Sequence, residues 1–412
     1  MRVLALPLLA VAVLGSGARA EDWPQFLGPR RDGTSRTKGL LKSWPADGPR
    51  LLWRREVGAG FAGPVVAGKQ LILFHRVGDR EVVEALDAET GKGLWKFDYP
   101  TAFADDFGKG NGPRATPGVA GSRVVTYGAD GWLHGLDLET GRKLWGRDVV
   151  TEYRVPPSYF GVGASPLVVE GRVLVNVGGP KAGIVAFDLE SGKELWKATG
   201  DGASYSSPVL TGESPPRAVF FTRNGVVILD PRSGEVSFTK RWRARYDASV
   251  NAAPPLLLDG GLALFSTSYE TGALLLKLAP AGADTVWTSE DALSAHYTNL
   301  VAHRGRVYGC DGRQEAGARL RCIDPRPAGG PQVLWSKERF GCSSILLAED
   351  HLILLTESGD LVLAEANPEH YAEKARARVL QESPVRAVPA LAEGRLYARD
   401  QGQLICLGLV QR

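Results

Sequence analysis

Three stretches of this 412-residue chain repeat one pattern. Residues 85–95 read ALDAETGKGLW, residues 135–145 read GLDLETGRKLW, and residues 186–196 read AFDLESGKELW. The shared form is small-x-Asp-x-x-Thr/Ser-Gly-x-x-Leu-Trp, at a period of about 50 residues. A fixed period of that length requires stacked supersecondary units, because one unit cannot bury its apolar face alone. A scaffold of this kind presents surfaces, so its default role is binding rather than chemistry.

Each copy has a local reading. The apolar run before the Asp is strand-like, and Asp87, Asp137 and Asp188 cap the turn that follows by accepting a backbone N–H. The Gly of each copy supplies the positive φ of a tight reversal. Trp95, Trp145 and Trp196 are large residues at a repeated position, which points to packing between units. Trp287 and Trp335 hold the same place in later, degenerate units.

A second signal, small-small-Pro followed by an apolar strand, marks the start of each unit. It reads AGPVV (62–66), ATPGV (115–119), ASPLV (164–168), SSPVL (206–210), PPLLL (254–258) and VPALA (388–392). TNLVA (298–302) and SSILL (343–347) are degenerate copies. These starts, each leading into four short strands, predict an all-β fold: an eight-bladed β-propeller of four-stranded antiparallel blades. Seven blades is the alternative if one degenerate unit fails. The last unit ends without its Trp strand, and residues 51–57 can supply it, closing the ring. Residues 367–377 are compatible with a short helical turn.

The expected organisation is a signal peptide over residues 1–20, an N-terminal extension over 21–50 and a single propeller domain over 51–412. Val3 to Leu14 is apolar but too short to span a bilayer, and Ala18-Arg19-Ala20 is a small-x-small cleavage site. No other stretch is long and apolar enough for a transmembrane helix. The chain is thus expected in the periplasm or outside the cell. Without Arg2 and Arg19 the formal charge falls from +3 to +1. That balance gives no reason to expect nucleic acid or an anionic membrane as partner.

At the repeats the sequence resembles the pyrroloquinoline-quinone-like (PQQ-like) propeller repeat family, over roughly residues 51–409. The pattern A-x-D-x-x-T-G-x-x-x-W is similar to that family's tryptophan-docking motif, and Ala85 to Trp95 fits it throughout. The opening DWPQFLGPRRDGTS (22–35) resembles secreted members from planctomycete-type bacteria. The resemblance implies one of two kinds of protein. One is a non-catalytic scaffold, related to the propeller subunit of the outer-membrane assembly machinery, which is a lipoprotein; no lipidated Cys follows the signal here. The other is a quinone-dependent alcohol or sugar dehydrogenase, which holds PQQ with calcium in the central funnel, often against adjacent cysteines. This chain has no Cys-Cys pair, and no Glu, Asn and Asp set falls on matching motif positions. The resemblance thus favours an exported, monomeric, non-catalytic scaffold without cofactor, binding an envelope or secreted protein, with a glycan as a further possibility. The alternative is the divergent dehydrogenase with PQQ and calcium.

Candidate site residues come from the repeat alignment. Two residues before the Pro position stand Ala62, Ala115, Ala164, Ser206, Ala253, Thr298, Ser343 and Ala387, all small and so structural. One residue earlier stand Phe61, Arg114, Gly163, Tyr205, Ala252, Tyr297, Cys342 and Arg386. Alternation puts the two sets on opposite faces of the innermost strand. The variable set is expected at the mouth of the axial channel, with Arg114, Tyr205, Tyr297 and Arg386 as ligand-binding candidates. The other reading is that they only plug and solvate the channel. Loops after the Trp strands offer Phe103, Phe107, Tyr153, Tyr159, Arg245 and Tyr246, which suit a contact face or a solvated loop packing its own aromatics. Asp105, Asp106 and Asn111 lack a calcium-loop pattern, and no His shows zinc-ligand spacing, so no metal site is expected. No catalytic motif stands out. The four Cys allow three pairings, with Cys310 and Cys322 flanking a short hairpin. Cys322 and Cys406 also fall at the small core position before the Asp.

Overall fold

A computed structural model of the chain describes residues 21–411 apart from 107, 109, 158–160, 245, 247–250, 327, 328 and 383. The signal-peptide expectation, Phe107, Tyr159 and Arg245 lie outside the described residues. The strands assemble into eight antiparallel sheets around one axis. The first blade is Val65–Ala67, Gln70–Val77, Arg80–Asp87 and Gly93–Pro100, from the axis outward. Six further blades repeat that order, with innermost strands Gly118–Ala120, Leu167–Val169, Val209–Leu210, Leu256–Leu258, Val301–His303 and Ser343–Ala348. The eighth is built from both ends of the chain. Ala390–Ala392, Arg395–Arg399 and Gln403–Gly408 come last in sequence, and Leu51–Glu56 completes them as the outer strand. The ring is closed as the sequence predicts, leaving no open seam.

The repeated motif works between blades. Asp87 accepts the Thr90 N–H at 2.8 Å and the Thr90 hydroxyl at 2.7 Å, and Asp137 and Asp188 do the same with Thr140 and Ser191. Each Trp reaches forward to the next blade and donates its indole N–H to the carbonyl just after that blade's Asp or its equivalent. Trp95 donates to Leu138, Trp145 to Leu189 and Trp287 to Pro325, at 2.9, 2.9 and 2.8 Å. Trp196 does likewise to Pro231, and Trp335 donates to Asn367, two residues past Glu365, which holds the Asp position in blade seven. Trp53, on the closing strand, donates to Ala88 and so locks blade eight to blade one. The glycine of the turn is needed twice. Gly192 has φ +68°, and a Cβ there would lie 2.6 Å from the Trp145 ring, so only a bare backbone fits under the indole.

Two readings left open by the sequence are decided. Residues 367–377 hold no helical turn: a bend leads into the strand Glu373–Arg378, because the outer edge of blade seven must still be filled. Cys310 and Cys322 are not bridged; all four cysteines are free and buried. Cys322 pairs in register with Tyr308, and Cys310 with Leu320, so the two thiols are offset along the hairpin. Cys322 and Cys406 are core residues.

Residues 22–41, read from sequence only as an extension, are woven through the propeller. Trp23 exchanges two backbone hydrogen bonds with Val66 of blade one, and Pro24 accepts from Val119 of blade two. The Arg31 guanidinium donates to the Pro166 and Ser165 carbonyls of blade three. Gly33 accepts from Leu347 of blade seven, where Thr34–Ser35 pairs parallel to Ser343–Ala348. Leu41 donates to Leu409 of blade eight. Blades three and seven face each other across an eight-bladed ring. The segment therefore spans the axis and closes one end of the channel.

Candidate functional site

The segments that lead into the innermost strands lie at the open end, and their residues line a cavity of about 440 Å³. Arg114, Tyr205, Tyr297 and Arg386, four positions drawn from four different blades, all reach it. Phe61, Gly163 and Ala252 of the same alignment column join them, while Cys342 is buried beside the wall. The small column is buried throughout, from Ala62 to Ala387, and of its members only Thr298 lines the cavity. These positions precede the strands, and apart from the Tyr297–Thr298 pair neighbouring residues face opposite ways as in an extended chain.

Around the mouth, guanidiniums alternate with rings. Arg114 lies 4.8 Å from the Phe103 ring centre and 5.8 Å from that of Phe61. Arg386 lies 5.6 Å from Phe61 and 5.2 Å from Tyr297. Arg313 lies 4.4 Å from Tyr269, which His296 meets edge-on. Each guanidinium also has a carboxylate: Arg114 with Asp105 at 2.9 Å, Arg386 with Glu357 at 2.7 Å and Arg313 with Glu315 at 3.3 Å. Burial lowers the Arg114 pKa against the pull of Asp105. At Arg386 burial also acts to lower it, but Tyr297 and Glu357 outweigh burial and hold it above the usual value. Burial lowers the His296 pKa against the Gln314 hydrogen bond, and the ring bridges Gln314 and the Tyr269 hydroxyl.

Sequence reasoning missed two parts of this site. One is the position just before the Pro, which forms a second tier below the first. There, side-chain hydroxyls pass hydrogen bonds from blade to blade: Gly63 N–H to Thr116, Thr116 N–H to Ser165 and Ser165 N–H to Ser207. The recurring Ser/Thr-Pro dipeptides carried that signal. The other part is non-repeating. Tyr269, Arg313, Gln314 and Glu315 come from loops inside blades five and six, and Phe26 from the N-terminal segment forms the floor. No periodic signal marks them.

Of the loop-face candidates, Phe103 supports Arg114 at the mouth. Tyr246 is half exposed at the rim, edge-on to Tyr269. Tyr153 belongs elsewhere: it donates to Glu194 and packs edge-on against Phe187.

The connection that carries Asp105 and Arg114 starts beside a buried carboxyl. Glu81 accepts the Tyr99 hydroxyl at 2.5 Å and the Ala129 N–H at 2.9 Å, joining blades one and two. Burial pushes its pKa up to about 7, against the pull of those two hydrogen bonds, with Asp130 adding to the rise. An unfolded glutamate titrates near 4.5. The contribution of protonated Glu81 is therefore full below about 4.5 and is lost as pH rises through 7. Unfolding midpoints between pH 5 and 8 should fall more steeply in the wild type than in Glu81→Gln, by a difference on the order of 3 kcal/mol. Parallel profiles for the two proteins would remove Glu81 as the cause.

The donors do not suit a calcium–quinone centre. The Asp105 carboxylate is held by Arg114, and the Asn111 amide oxygen accepts from the Asp105 N–H. Among the described residues no group of three His, Cys, Asp or Glu converges as metal ligands. A hard cation needs several convergent oxygens.

A family model described as Outer membrane protein assembly factor BamB matches residues 37–206 and 79–327 of the chain. The Quinohemoprotein alcohol dehydrogenase ADH-IIG of Pseudomonas putida is 34% identical over 130 residues, which are 30% of this chain and 18% of that protein. The match thus spans less than a fifth of that relative's length. Among solved structures, BamB from Moraxella catarrhalis superposes with a TM-score of 0.64 at 16% identity, covering 88% of this chain and 98% of the other. Quinohemoprotein alcohol dehydrogenase from Comamonas testosteroni gives 0.65 at 15% identity, covering 97% and 82%. At such identities the likeness is one of fold.

Proposed function

The chain belongs to the PQQ-like β-propeller repeat family related to BamB, and from that premise we propose that it is an exported, non-catalytic scaffold of the cell envelope. In this reading residues 1–20 are a cleaved signal, the mature protein is a monomer without cofactor, and the cavity between Arg114, Tyr205, Tyr297 and Arg386 receives a protein or small ligand. One observation carries it: Asp105, Glu357 and Glu315 at the mouth are each paired with an arginine, which suits recognition. The BamB family match supports a protein-binding role. No helix among the described residues is long and apolar enough to cross a membrane.

The second reading, a divergent quinone-dependent dehydrogenase, is favoured by the identity shared with the Pseudomonas putida enzyme. Calorimetric titration with PQQ in calcium buffer separates the two. We expect no binding heat from folded protein, with cross-linking in intact cells then recovering an envelope protein. Stoichiometric binding at micromolar or lower concentration would overturn the scaffold reading.

A further inference from the structure

The channel is a cup and not a pore, because residues 22–41 cross its axis, with Arg31 on blade three and Gly33 on blade seven. A polymer cannot thread it. Whatever enters leaves by the same mouth, so a chain molecule can present only an end.

The charge of the cup selects further. The three guanidiniums at the mouth are matched by Asp105, Glu357 and Glu315. Below them lies one more cation. Arg31 is buried, it stacks over Phe26 of the floor at 5.8 Å, and its hydrogen-bond partners are Gln25 and two carbonyls, with no carboxylate. Arg31 is not among the residues that line the cavity, so its unmatched charge acts from beneath the wall, where it favours a single anion over a polyanion. One wall also holds buried polar atoms without a hydrogen-bond partner: the Tyr297 and Thr298 hydroxyls and Arg313 Nε. Arg386 uses only Nε on Glu357. Phe26, Phe61 and Val388 give the cup an apolar side.

We infer that the cup captures the C-terminal carboxylate of a peptide whose last side chain is apolar. The carboxylate meets Arg386 and the Tyr297 hydroxyl, and the apolar side chain rests against Phe61 and Phe26. Charge-assisted hydrogen bonds give such a site its preference for a free carboxylate, and the buried side chain adds affinity. The inference rests on the scaffold reading and adds the chemistry of the partner.

The test uses fluorescence anisotropy on the purified protein, with labelled heptapeptides ending in Phe or Leu, each as free acid and as C-terminal amide. The acids are expected to bind, and the amides to bind at least about tenfold more weakly. Tyr297→Phe should weaken acid binding severalfold with little change in melting temperature, because its buried hydroxyl makes no hydrogen bond of good geometry. Arg386→Gln should erase the difference between acid and amide. Equal binding of acid and amide would overturn the inference, as would no binding of any peptide. Displacement of a bound acid by an equal concentration of benzoate would overturn it too, since the cup would then take free anions. If peptides fail while PQQ also gives no heat and an envelope protein still cross-links, only this inference falls. If PQQ binds, it is the scaffold reading that falls.

Discussion

Trp145→Ala is expected to cost about 4 kcal/mol of unfolding free energy, near the top of the range for any single substitution in the blades. Trp145 is buried between blades two and three, and its ring covers Gly192. Truncation removes that contact and opens a cavity that the flanking sheets cannot close, because each is held by its own ladder. It also strips the Leu189 carbonyl of its donor, worth about 1 kcal/mol. Trp145→Phe keeps most of the packing and should cost only about 2 kcal/mol. Leu195, from the same Leu-Trp dipeptide in blade three, points outward and is 47% exposed. Leu195→Ala should therefore stay within about 0.5 kcal/mol of wild type. Denaturant unfolding of the three variants gives the comparison. A Trp145→Ala midpoint matching that of Leu195→Ala would mean the indole is not a blade lock.

Removal of residues 21–35 is expected to be more damaging still, by roughly 5 kcal/mol or more. Trp23 and Leu27 are almost wholly buried, in a cluster they share with blades one, seven and eight. Their loss exposes apolar surface at the inner ends of those blades. The backbone pairings with Val66, Val119 and Leu347 go with them, as does the strand Thr34–Ser35. A milder variant separates the plug from general damage. Arg31→Met keeps the chain in place but removes the buried cation, whose pKa burial alone lowers to about 9. It leaves the Ser165 and Pro166 carbonyls without their donor, a loss of about 1–3 kcal/mol. The expected order of melting temperatures is wild type, Arg31→Met, then the truncation. A truncated protein that melts with the wild type would show that the segment merely rests on the propeller.

Much of the architecture was legible because repetition averages out local ambiguity. One Asp-x-x-Thr-Gly turn is a weak signal. Three in phase define a blade, and the surplus Trp strand at residues 51–57 shows how the ring closes. The same alignment column placed Arg114, Tyr205, Tyr297 and Arg386 at one cavity, since each stands at the same distance before the innermost strand of its blade. The loops after the Trp strands are a different case: Tyr153, named there as a contact-face candidate, donates to Glu194 and packs edge-on against Phe187 of blade three. Loop residues carry no period, and nothing local says which way they turn. Residues 367–377 were misread for a related reason: their helix-friendly Ala, Glu, Lys and Arg lost to the sheet's need for an outer strand.

By itself the sequence determined the blade count, the ring closure, the role of the Asp-Gly turns and the tier of residues facing the axis. Each follows from short-range patterns that the chain repeats. Only the tertiary structure decided that the channel is closed at one end and that Arg31 lies beneath it without a carboxylate. It alone showed that the mouth arginines are matched one to one by Asp105, Glu357 and Glu315. The Arg31 contacts reach carbonyls 134 and 135 positions away and depend on how the ring wraps around its own N-terminal segment, which no local pattern encodes. The mouth pairs depend on loop conformations that carry no period.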